Sequence, residues 1–135
     1  MTIQSGQEHS PRILVVEDDA EMRALLRDEL VDAGYEICQA GDGAEGALKL
    51  AEEPFDLIVT DLKMPRMSGK EMLAVARQRC PDVPVIAITA FGDAPEFVKS
   101  YHGGFFAYLR KPFRMEELKT AIRAALQTRR QQSAC

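Results

Sequence analysis

The residues best suited to chemistry in this chain each follow a short apolar run. Glu17-Asp18-Asp19 comes after Ile13-Leu14-Val15-Val16, and Asp61 after Leu57-Ile58-Val59-Thr60. Thr89 and Ala90 come after Val85-Ile86-Ala87-Ile88, and Lys111-Pro112 stands just beyond Phe106–Leu109. If these runs are strands of one parallel sheet, the groups meet on a single rim. Glu17, Asp18 and Asp61 would then place about three negative charges within a few ångströms, a repulsion of several kcal/mol at moderate effective dielectric. One divalent cation and Lys111 bring the sum to zero. Ligands that are all oxygen, with no His or Cys nearby in sequence, favour a hard ion such as Mg2+. That ion keeps waters and leaves a position for a phosphoryl oxygen. A carboxylate in such a site can act as a nucleophile and carry an aspartyl phosphate. Phosphorylation of Asp61 replaces a charge of about −1 with about −2, which the metal, Lys111 and the Thr89 hydroxyl would share.

The elements that must position these groups are legible from periodicity. Met22, Leu25, Leu26, Leu30 and Ala33 fall on one helix face, which Gly34 terminates. Tyr35–Ala40 reads as a second strand, and Ala44, Ala47, Leu48 and Ala51 as a short helix ending near Pro54. Phe55–Thr60 and Val83–Thr89 are the third and fourth strands. Between them a helix opens at Gly69, carries Met72, Leu73, Ala76 and Cys80, and closes at Pro81. A poorly amphipathic fourth helix is expected over 93–101, a fifth strand over Phe106–Leu109, and a last helix with Met115, Leu118, Ile122, Ala125 and Leu126 inward. Strands separated by helices run parallel, with helices over both faces. Right-handed crossovers make a doubly wound five-stranded α/β sheet the expected fold, with its site at the carboxyl ends of the strands. Residues 1–11 read as a flexible tail, 12–127 as the domain, and 128–135 as a polar tail or the start of a linker.

A length of 135 residues fits one domain. Lys plus Arg is 17 against 21 for Asp plus Glu, a net charge of −4 that argues against direct nucleic-acid binding. No run approaches the ~18 apolar residues of a membrane span. Met1–Ser10 has no apolar export core, so the cytoplasm is the expected compartment. Cys38, Cys80 and Cys135 are too few and too scattered for a disulfide scaffold or a zinc site.

Four segments in register then carry a family resemblance. Ile13-Leu14-Val15-Val16-Glu17-Asp18-Asp19, Asp61-Leu62-Lys63-Met64-Pro65-Arg66-Met67-Ser68-Gly69, Thr89-Ala90 and Tyr108-Leu109-Arg110-Lys111-Pro112-Phe113 together resemble the response-regulator receiver domain of two-component signalling, the chemotaxis-regulator-like superfamily. The resemblance covers about residues 11–127. It implies a flavodoxin-like (βα)5 sheet of strand order 2-1-3-4-5. It implies Asp61 as phosphoacceptor, with Mg2+ held by Glu17, Asp18, Asp61 and the backbone carbonyl of Lys63. Lys111 would pair with the phosphoryl group, Thr89 would move to hydrogen-bond it, and Tyr108 would swing inward as the aromatic switch. Ala90 would leave room for the donor, and the Lys111–Pro112 peptide would be cis.

The implied partners are a histidine kinase or histidine phosphotransfer protein, and a downstream protein target or an output domain missing from this chain. The responding face would be the fourth helix, fifth strand and fifth helix, which is also where a homodimer would form. The domain would be a phosphorylatable switch catalysing only its own phosphorylation and dephosphorylation. Glu17 stands where Asp is more frequent, and Gly104-Phe105-Phe106 puts two rings where small or polar residues usually stand. At least one ring is expected in the core. Asp19 reads as the N-cap of the first helix rather than a ligand. Glu21, Arg23 and Arg27 are candidates for kinase selection by resemblance. A phosphohydrolase would need a general acid two residues after Asp61, where Lys63 stands. A pseudo-receiver is expected to lack Asp61 or Lys111. A dinucleotide binder would need a glycine-rich first turn rather than an acidic one.

Overall fold

A computed structural model of the chain describes residues 10–62, 69–89 and 104–130. Its strands are β1 (Arg12–Val16), β2 (Glu36–Ala40), β3 (Leu57–Asp61), β4 (Val85–Thr89) and β5 (Ala107–Arg110). They form one parallel sheet in the order β2-β1-β3-β4-β5. The helices of the described residues are α1 (Ala20–Asp32), α2 (Gly43–Glu52), α3 (Gly69–Arg79) and α4 (Met115–Arg130). This is the doubly wound, flavodoxin-like order that the family resemblance implies; the helix expected over 93–101 lies outside the described residues.

The central strands are apolar at nearly every position because both faces are covered. Ile13, Val15, Leu57, Val59, Ile86 and Ile88 pack with Leu26 and Leu30 of α1 and with Leu118, Ile122 and Ala125 of α4. Leu14, Val16, Ile58 and Val85 face the other way, onto Leu50 of α2 and Met72, Leu73 and Ala76 of α3. Each such aliphatic side chain contributes about 1.5–3 kcal/mol on burial. The sheet is therefore a rigid block, and the residues that end its strands inherit that rigidity.

Local chemistry sets the element ends. Asp19 caps α1, its Oδ1 accepting the Glu21 N–H at 3.2 Å. Gly34 ends α1 at a φ of +103°, which L side chains rarely adopt. The N–H groups of Gly34 and Tyr35 turn back to the Val31 and Leu30 carbonyls at 3.0 and 3.1 Å. Asp42 caps α2 by accepting the Glu45 N–H at 2.8 Å, and Glu45 in return accepts the Gly41 N–H at 2.8 Å. Gly46 lets α2 lie close to the sheet: a Cβ there would stand 3.0 Å from Val16 Cγ2 and 3.1 Å from Met72 Sδ.

Element ends differ from expectation by single residues in β2 (from Glu36), at the end of β3 (Asp61) and in β5 (Ala107–Arg110), and by more at three others. β3 begins at Leu57 rather than Phe55, because the Asp56 carboxylate takes the Arg12 N–H at 2.8 Å in place of a ladder partner. β4 begins at Val85 rather than Val83, because Pro84 has no N–H to donate. Phe55 and Val83 are nevertheless buried in the core, as entry residues. α4 runs on to Arg130, past Thr128, whose hydroxyl donates to the Ala124 carbonyl at 3.0 Å.

Candidate functional site

Parallel strands bring their carboxyl ends to one rim, and the registers place the side chains there. Glu17 directly follows β1, its N–H bound to the Ala40 carbonyl at 3.0 Å. Asp61 ends β3 and pairs in register with Ile88; Thr89 ends β4 and pairs with Arg110. Lys111 follows β5, its backbone N–H donating to the Thr89 carbonyl at 2.7 Å.

Carboxylate oxygens of Glu17, Asp18 and Asp61 lie within 4.8 Å of one another. The Lys111 Nζ reaches into this cluster, donating to Asp61 Oδ2 at 2.9 Å and Glu17 Oε1 at 3.3 Å. Glu17 Oε2 accepts the Asp19 N–H at 3.1 Å. Glu17, Asp61 and Thr89 are buried, whereas Asp18 is exposed on the open side. Burial pushes the Glu17 carboxyl up to about 7, and the neighbouring Asp61 charge adds to this. The Asp19 N–H and the Lys111 ammonium oppose the rise without cancelling it. Burial pulls the Lys111 ammonium down, but the hydrogen bond and charge of Asp61, then the charge of Glu17, outweigh it and hold Lys111 above the usual lysine value. Among the described residues, Glu17 and Asp61 thus share the Lys111 ammonium with Asp18 close by, and a divalent ion or a proton would relieve the excess of negative charge.

The donor set suits a hard cation. It is all oxygen, with one exposed member.

Among the other expected residues, Asp19 is the helix cap that its position suggested. The Lys111–Pro112 peptide is cis. Tyr108 is 41% exposed on β5, while its neighbours Ala107 and Leu109 pack on the core beside α1 and α4. Phe105 is half-buried against the α2–α3 core and Phe106 is 40% exposed, so one ring packs on the core without being enclosed by it. Arg27 pairs with Asp28 at 2.8 Å. Lys63 and Ala90 lie outside the described residues. The sequence reading missed the place of Arg23, whose Nη1 donates to the Glu17 carbonyl at 2.7 Å. Its position six residues after Glu17, inside the first turn of a helix that starts at the acidic loop, was the available signal.

Residues 13–123 match the family model of the response regulator receiver domain. The chain is 38% identical over 120 residues to the transcriptional regulatory protein GlrR of Escherichia coli K12, covering 88% of this chain and 27% of that protein. It spans from about a quarter to about half the length of the curated relatives it matches. A response regulator receiver domain protein (CheY-like) from Methanospirillum hungatei superposes with a TM-score of 0.86 at 30% identity, over 93% of this chain and 100% of that one. The response regulator TrrA of Thermotoga maritima, solved in complex with Mg2+-BeF, gives 0.77 at 34% identity, over 85% and 98%. Among the described residues no helix is long and apolar enough to cross a membrane.

Proposed function

The chain belongs to the response regulator receiver domain family, and on that premise we propose that it is a phosphoacceptor switch in which Asp61 takes a phosphoryl group from a histidine kinase or histidine phosphotransfer protein. The observation that carries this reading is a buried Asp61 carboxylate, 2.9 Å from the Lys111 ammonium and clustered with two further carboxylates. Receiver domains are signalling switches rather than turnover enzymes. Lys63 stands where a phosphohydrolase would need its acid.

In the step, an Asp61 oxygen attacks the donor phosphorus. An O–P bond forms, the N–P bond of the phosphohistidine breaks, and the imidazole nitrogen leaves with the electron pair. Glu17, Asp18, Asp61 and the Lys63 carbonyl would hold Mg2+. The bound ion would screen the carboxylates from one another and from the phosphoryl oxygens. Lys111 exchanges its Asp61 contact for a phosphoryl oxygen, and the Thr89 hydroxyl supplies a second hydrogen bond. A residue as small as Ala90 would leave room for the donor.

The gain of negative charge at Asp61 then biases two arrangements of one face. Thr89 and Lys111 are already joined through their backbones, so a movement at the end of β4 is felt in β5. Tyr108, exposed here, turns inward in the phosphorylated arrangement. The readout is a downstream protein, an output domain or a second copy meeting the face built on β5.

Intact mass after incubation with acetyl phosphate and Mg2+, beside Asp61→Asn and a metal-free sample, tests the reading. One phosphoryl addition that requires both Asp61 and Mg2+ is expected. Addition that persists in Asp61→Asn would overturn the assignment of the acceptor.

A further inference from the structure

Arg23 sits in the first turn of α1, and its guanidinium turns back to the acidic loop. Nη1 donates to the Glu17 carbonyl at 2.7 Å. The same nitrogen lies 3.4 Å from where a Cβ on Gly41 would stand. The guanidinium therefore fills the gap between the β1–α1 loop and the β2–α2 turn. That turn is itself fixed, with Glu45 on the Gly41 N–H and Asp42 on the Glu45 N–H. On its other side, the Glu17 N–H is tied to the Ala40 carbonyl. Both backbone groups of Glu17 are thus held, and the one Arg23 holds is the carbonyl of the Glu17–Asp18 peptide.

We infer that Arg23 is a positioning residue of the acidic site, holding that peptide so that Asp18 turns toward Glu17 and Asp61. The inference rests on the site being metal-dependent. Glu17 and Asp61 have burial and Lys111 to hold them. Asp18 is exposed, and its direction follows from the peptide plane that Arg23 fixes. A merely electrostatic role for Arg23 has the opposite sign. A cation beside three carboxylates opposes a divalent ion, so loss of its charge alone would tighten metal binding.

The test is Mg2+ affinity by titration calorimetry on the full chain carrying Arg23→Met or Arg23→Lys, with thermal melts to confirm folding. Arg23→Met is expected to weaken Mg2+ binding about tenfold, the lower range for loss of a partner behind a metal ligand. Arg23→Lys keeps a donor and the charge, and restores most of it. In metal-free amide spectra of Arg23→Met, the Asp18 and Asp19 signals shift while those of Ile13–Val16 stay. Binding as tight as, or tighter than, the parent overturns the inference. If the parent chain itself binds no Mg2+, the metal-dependent reading fails, and an unshifted Asp18 amide still decides against Arg23. Arg23→Gln replaces the Met variant if that does not fold.

Discussion

At the amino ends of the strands, Arg12 pairs with Glu53, stands 3.7 Å from Glu36, donates to the Pro54 carbonyl at 2.9 Å and lies 5.0 Å over the Phe55 ring. Arg77 donates to the Val83 and Gly104 carbonyls at 2.6 and 2.8 Å, and Arg79 to those of Leu50 and Ala51 at 2.8 and 3.2 Å. At the carboxyl ends, Glu17 and Asp61 share the Lys111 ammonium, with the Asp18 carboxylate clustered beside them. The two ends hold their acids oppositely. The hydrogen bond from Arg12 keeps Glu53 below the usual glutamate value, whereas burial lifts Glu17 to about 7. Charges at the amino end find partners on neighbouring loops and close the fold. Among the described residues the acidic groups at the carboxyl end outnumber the ammonium they meet, and it is there that a cation or a phosphoryl group would change the balance.

Lys111→Met breaks the carboxyl end most severely. It leaves Glu17 and Asp61 buried without their ammonium. Removing one member of a fully buried pair costs about 3–5 kcal/mol. Lys111 keeps 25% of its side chain exposed, so a loss of about 2–3 kcal/mol is expected in metal-free protein. Urea unfolding with and without Mg2+ checks this: the ion supplies the missing charge, so the deficit shrinks when it is added. An equal deficit in both conditions would mean that Mg2+ does not sit among these carboxylates.

The pH dependence of metal-free stability sharpens the contrast next. Glu17 moves from 4.5 to about 7 on folding. Between those values the unfolded chain has released a proton that the fold still holds. Its contribution is full below about pH 4.5 and is lost as pH rises toward 7. The slope is at most about 1.4 kcal/mol per pH unit. Glu53, held low by Arg12, acts the other way: its contribution stands above pH 4.5 and is lost as pH falls below it. Melts across this range should show Glu17→Gln losing the decline toward neutrality while keeping the loss on the acid side. A parent protein with no decline between those limits would contradict a Glu17 whose burial outweighs its bonds to Lys111 and the Asp19 N–H.

The contrast also separates what the sequence disclosed from what it withheld. Apolar runs and helical stripes gave the alternation of strands and helices, and hence the rim that gathers Glu17, Asp61, Thr89 and Lys111. Asp19 could be read as a cap because its requirement is local. Side chains acting across the fold could not be read. Arg23 on the Glu17 carbonyl and Arg77 on the Gly104 carbonyl are satisfied by backbone oxygens, which every sequence position carries. The late starts of β3 and β4 escaped because Phe55 and Val83 are as buried as strand residues, and the ladder is interrupted by Asp56 and Pro84 instead. The exposure of Asp18 beside buried Glu17 depends on the curl of one loop, which no periodicity encodes.

Arg12→Met has the smallest expected effect. Methionine keeps much of the apolar stem over Phe55, so the loss is confined to the ion pairs and the cation–π contact. The Arg12 side chain is 28% exposed, and its Glu36 partner more so. Such contacts are worth about 1 kcal/mol together. Mg2+ affinity should stay within about twofold. The length of β1, five residues or roughly 16 Å, separates the two ends, about twice the screening length at physiological salt. Measured on one preparation by urea unfolding and calorimetric titration, lowered stability with unchanged Mg2+ binding would show that the two ends act independently. A change in Mg2+ affinity beyond about threefold, too large for a screened charge at that range, would mean that β1 transmits the state of its amino end to Glu17. The amino-end cluster would then belong to the working parts of the switch.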